Sequence, residues 1–144
     1  MRRFEFRLRN VQRVRQTEET IARGNVRVAQ HHVAATTGEL ERRRTHLRTL
    51  AGPPANATVD VFLAGRASLG AAAATVVAGG NDVAMARAVA DTRVQQWRSA
   101  RGRVRALERL EARRRDEHEL EVARDDVRET DELILARRFL GAGS

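Results

Sequence analysis

The chain has 144 residues and a formal charge of +8, from 27 basic residues, every one an arginine, against 19 acidic ones; it has no lysine, cysteine or tyrosine. Without lysine or cysteine it cannot build a Walker-type phosphate loop, a Schiff base, a thiol nucleophile, a disulfide or a cysteine-ligated zinc site. With 42% hydrophobic but only 3% aromatic residues it is an Ala, Val, Leu and Arg chain, which suits long helices better than a compact core filled with rings.

The first predicted element is a helix over about residues 4–50. Its opening, Met1-Arg2-Arg3-Phe4-Glu5-Phe6-Arg7-Leu8-Arg9, is charged throughout with no apolar run behind it, which argues against a secretory leader and for a cytoplasmic protein. Ala22, Val26, Ala29, Val33, Thr36, Leu40, Arg43, Leu47 and Leu50 recur at alternating spacings of four and three, the period of a heptad seam. Upstream, Val11, Val14 and Ile21 fall out of that phase and predict a stutter in the packing. Ala51-Gly52-Pro53-Pro54 removes two backbone donors and ends the helix near Leu50.

Residues 51–81 read as a linker with one short helix, capped by Thr58 and folded at the turn end of a hairpin. The stretch from Val59 to Ala78 has the length of a membrane span, but Asp60 and Arg66 fall within it. Each charge costs about 2.5–3.5 kcal/mol at the centre of an inserted helix, so a folded helix is the preferred reading. The Gly79-Gly80-Asn81-Asp82 sequence predicts a break, with Asp82 capping a second long helix over about residues 82–140 and a tail over 141–144.

In that second helix Ala86, Ala90, Trp97, Ala100, Val104 and Leu107 share one seam. Leu120, Ala123, Val127, Thr130 and Ile134 share another, shifted in phase. Residues 116–132 carry nine acids against Arg124 and Arg128, while the N-terminus is basic, so antiparallel pairing brings opposite charges together. A turn joining Leu50 to Asp82 sets the register: Arg13 and Arg15 beside Glu117 and Glu119, and Ile21 beside Glu111. The expected fold is all-α: a single domain formed by a long two-helix antiparallel coiled-coil hairpin with a short extra helix near the turn.

Candidate chemistry is sparse. His31, His32, His46 and His118 include no pair at the i, i+4 spacing of a helical zinc site, and the acids Asp116-Glu117 and Asp125-Asp126 have no pocket that would raise a carboxyl pKa. Gly65 to Gly70 has the glycine spacing of a phosphate loop but is followed by Ala71-Ala72 instead of Lys and Ser or Thr. Neither cofactor nor metal is expected, and no small-molecule substrate. Arg42-Arg43-Arg44, Arg113-Arg114-Arg115 and the arginines between 98 and 109 offer contacts to phosphates, which makes a basic coiled coil that binds nucleic acid the second reading. Against it, only Trp97 interleaves and the basic run leads straight into the acidic one.

Phe4-Glu5-Phe6-Arg7-Leu8, followed by Val11, Arg15 and Glu18-Glu19, resembles the opening of the flagellar export protein FliJ family. The stretch Arg105-Ala106-Leu107-Glu108-Arg109-Leu110-Glu111-Ala112-Arg113-Arg114 is similar to that family's second helix, as is Glu129-Thr130-Asp131-Glu132 followed by Arg137. The family continues its second helix through the region where this chain carries Gly79-Gly80, so resemblance and glycine pair point in different directions there. The resemblance implies a non-enzymatic coiled coil similar to the stalk of rotary ATPases, serving flagellar type III protein export and hence motility. The implied partners are the hexameric export ATPase, the membrane export gate and export chaperones, and the implied location is the cytoplasmic face of the membrane at the flagellar base. By the same analogy Arg2, Arg3, Phe4, Phe6, Arg7, Arg137, Arg138 and Phe139 would form the ATPase-facing end. The equivalent stalk of a virulence-type secretion ATPase is a close variant of this reading.

Overall fold

A computed structural model describes residues 4–141, and every regular element among them is helical. Helix α1 spans Arg9–Thr49 and helix α2 spans Val59–Gly141. Cross-helix bonds join Gln12 to Glu111, Glu19 to Trp97 and Arg43 to Asp82, so the two helices pack antiparallel as a hairpin. The described residues form two compact units, each holding a piece of both helices: residues 4–17 with 101–141, and Glu18–Ala100.

In the unit of Glu18–Ala100 all nine seam positions expected on α1 are withdrawn from solvent, Ala29 and Leu40 fully and the other seven in part. The facing side of α2 is built from small residues. Ala72, Val83, Ala86 and Ala100 are buried, and Gly65, Leu69, Val76, Ala90, Val94 and Trp97 are half-buried along the same line. Small side chains let two helix backbones approach closely, and Gly79 is the tightest point: a Cβ there would lie 3.1 Å from Arg43 Nη1 and 3.2 Å from Leu40 Cδ1.

That packing corrects the expected break. The chain does not stop at Gly79-Gly80, no backbone glycine among the described residues has positive φ, and α2 runs unbroken for 83 residues. The separate short helix therefore does not exist; its residues are the first turns of α2. Two helical glycines cost about 1 kcal/mol each relative to alanine, but Ala71, Ala72, Ala73, Ala74 and Ala78 are the best helix formers and precede them directly. Gly79 also gives α1 its place. Arg43 anchors the crossing, donating from Nη1 to the Thr75 carbonyl at 3.2 Å and standing 3.6 Å from Asp82 Oδ2.

The connection is consequently short, residues 50–58. The Leu50 amide closes α1 on the His46 carbonyl, Ala57 turns back on the Pro54 carbonyl, and Phe62 donates to the Thr58 carbonyl to open α2, with Asp60 in its first turn. Pro53 packs against Gly65, where a Cβ would come within 3.2 Å of the ring. The apolar stretch that follows gives α2 an 18-residue window of mean hydropathy 1.6, long and apolar enough by those measures to cross a membrane, and little of it is buried.

The cross-helix register differs from the expected one by about nine residues. Gln12 faces Glu111, so Arg13 and Arg15 do not lie beside Glu117 and Glu119, nor Ile21 beside Glu111. The stutter is absent as well. Val11, Val14 and Ile21 are 43%, 57% and 60% exposed, and the seam continues in phase through the polar Gln12, Arg15 and Glu19. These polar residues are tolerated there because hydrogen-bond partners meet them, Glu111 for Gln12 and the Trp97 indole for Glu19.

Candidate partner-binding surfaces

In the unit of residues 4–17 and 101–141, the segment before α1 is not helical, turns at Arg7 and Leu8, and lies against α2. Phe6 is its anchor, 5% exposed, and its carbonyl accepts the Arg9 amide at 3.1 Å as α1 begins. Phe4 meets His118 edge to face with ring centroids 5.6 Å apart, and the Arg115 guanidinium stands 5.7 Å from the same ring. Such contacts add order with modest energy, on the order of 0.5–1.5 kcal/mol each. Beside them opens a groove of about 710 Å³, whose lining includes Leu8, Leu110, Arg114, Glu117 and Glu121. It offers apolar walls with both signs of charge at the rim, which suits a protein segment better than a small anion.

Beyond this groove α2 continues with its described residues exposed. His118 and Val122 are the last half-buried positions, and every residue from 123 to 139 is exposed. Leu120, Val127 and Ile134, on the expected second seam, are 58%, 61% and 49% exposed, and Phe139 is 80% exposed. The second seam is therefore a real stripe on the helix surface but not part of the hairpin core.

The residues implied to form one ATPase-facing end are divided by this arrangement. Phe4, Phe6 and Arg7 border the groove. Arg137, Arg138 and Phe139 lie 16 residues or more past Glu121 along α2, about 24 Å at 1.5 Å per residue. Arg2 and Arg3 lie outside the described residues. Sequence reasoning did not place His118 or Arg115 beside Phe4: the expected register sets Arg128 opposite it, ten residues past His118.

In the unit of Glu18–Ala100, Trp97 donates from its indole to Glu19 Oε1 at 2.7 Å, a bond buried in part between the helices. A second groove, about 420 Å³, runs past His32, Thr36, Glu39, Arg43, Asp82 and Met85. Glu39 accepts from both Arg42 and Arg43, and these two hydrogen bonds, the first the stronger, hold its carboxyl below the usual carboxylate value against a slight opposing desolvation. No group of three or more metal-ligating side chains occurs among the described residues.

The family model described as the flagellar FliJ protein matches residues 4–144, nearly the whole chain. No curated protein and no solved structure matches it.

Proposed function

This chain belongs to the flagellar FliJ family and so is a component of the flagellar export apparatus; from that membership we propose that it is a non-enzymatic, stalk-like coiled coil that engages the hexameric export ATPase. The contacts run through two surfaces: the groove bordered by Phe4, Phe6 and Arg7, and the exposed α2 extension ending in Arg137, Arg138 and Phe139. The membrane export gate and unloaded export chaperones are its further partners, and it works at the cytoplasmic face of the membrane at the flagellar base. The observation that carries this reading is the exposed run of α2 from residue 123 to 139 in a chain that matches the family over residues 4–144. A helix with an apolar stripe and charged flanks is suited to lie in a groove of a partner.

The test is capture of the intact chain by the export ATPase of the same organism, with ATP turnover followed at low and physiological salt and labelled DNA as control. Binding that raises turnover, weakened several-fold by Arg7→Glu or Phe139→Ala, is the expected result. Retention of DNA at physiological salt without ATPase binding would sink it, since affinity for phosphates alone falls steeply with salt.

A further inference from the structure

The α2 extension carries more pattern than an exposed stripe requires. With Leu120, Val127 and Ile134 at one core position of the heptad and Ala123, Thr130 and Arg137 at the other, the flanking residues that follow fall at 117, 124, 131 and 138. These are Glu117, Arg124, Asp131 and Arg138, an alternation of sign at every heptad step. All of these seam and flank residues are exposed, and Glu117 pairs with Arg114 on its own helix, at 3.0 Å.

From this we infer that the extension pairs with the same segment of a second copy as an antiparallel two-stranded coiled coil. Antiparallel pairing brings like-named flanking positions together across the seam. In the register that sets Val127 against Thr130 and Ala123 against Ile134 of the second copy, Glu117 meets Arg138 and Arg124 meets Asp131. Two-fold symmetry repeats both contacts, so four opposite-charge pairs close the seam and no like-charge pair occurs at this position.

Shifting by one heptad step reverses the outcome, placing Arg124 on Arg124 and Glu117 on Asp131. Parallel pairing does no better: Glu119 finds Arg124, but Asp126 faces Asp131. Charge therefore selects one orientation and one register. The remaining acids, Asp125, Glu129 and Glu132, fall on the outer positions and Asp126 opposite Leu133, so the acidic surplus of the extension stays in solvent. Ala123, Thr130 and Arg137 fill one of the two core positions, which makes the pair weak and reversible, and a dimer so formed covers the surface that the ATPase is proposed to use. This inference stands on the charge pattern alone and not on that proposal.

Sedimentation equilibrium of the full chain, with far-UV circular dichroism as the folding control, tests it. The wild type is expected to self-associate with increasing concentration, Asp131→Arg to weaken the dimer about tenfold at unchanged helicity, and the swap Arg124→Asp with Asp131→Arg to restore it. The chain has no cysteine, so register is read separately from single-cysteine variants. Ala123→Cys and Ile134→Cys chains should form a disulfide when mixed and little when alone. A monomer at all concentrations, a swap no better than the single change, or equal crosslinking of each variant with itself overturns the inference. So does protection of the seam from chemical labelling only when the ATPase is present, which would assign the stripe to that partner.

Discussion

Trp97 and Glu19 tie the helices of the Glu18–Ala100 unit together by one hydrogen bond at 2.7 Å. Replacing Trp97 with Phe keeps an aromatic ring in the seam but leaves a half-buried carboxylate without its donor, which costs about 1–3 kcal/mol. Glu19→Gln retains an acceptor and should cost less; chemical denaturation of the two variants gives the comparison, and equal losses would place the effect in packing instead of the bond. Glu39 supplies a second expected outcome at this scale. Its pKa is lowered in the folded chain by Arg42 and Arg43, so its contribution is present above the ordinary value of 4.5 and is lost as pH falls through the lowered one. Glu39→Gln should therefore lower the melting temperature at neutral pH and leave it unchanged in acid, which flattens the acid limb of the profile. Because the group is exposed, a small effect is expected.

The two glycines at the middle of α2 give opposite expectations despite being neighbours. A Cβ on Gly80 meets nothing within 4 Å, whereas one on Gly79 meets Leu40 and Arg43. Gly80→Ala should raise stability by about 0.5–1 kcal/mol through helix propensity alone. Gly79→Leu should lower it and weaken protection of the Leu40 amide in hydrogen exchange. If the two changes gave the same sign, the close approach at Gly79 would be wrong. The same pair shows why this element was misread from sequence: a glycine pair breaks a helix when it adopts positive φ, and nothing local distinguishes that from a glycine kept small by a neighbouring helix. The seam from Ala22 to Leu50 was legible because its apolar period alone fixes which face is buried. Val11, Val14 and Ile21 were misleading because their apolar character outweighed a phase that polar Gln12, Arg15 and Glu19 in fact continue.

For the molecule as a whole, the antiparallel hairpin could be read from two periodic segments around a proline pair, but its register could not. The expected register rested on Leu50 facing Asp82, and that one assumption displaced every expected cross-helix partner. That is why the expected register did not bring His118 and Arg115, the neighbours of Phe4 on α2, beside it. It also explains why Arg137, Arg138 and Phe139, expected beside Phe4, lie well past it along α2. Truncation after Val122 tests the division directly. Removing a stretch whose described residues, 123–139, are all exposed should lower helicity in proportion to the residues lost and move the midpoint of thermal unfolding by only about 2 °C or less. A large fall in the midpoint would mean that the extension supports the hairpin.

Trp97 is the only tryptophan and the chain has no tyrosine, so its ultraviolet emission comes from one ring lodged where α1 and α2 meet. A partner that merely settles on the outside of the hairpin leaves that light almost unchanged. One that wedges the two helices apart near Glu19 floods the indole with water and turns its colour to the red, so the unlabelled protein carries its own gauge of whether it is clasped or prised open.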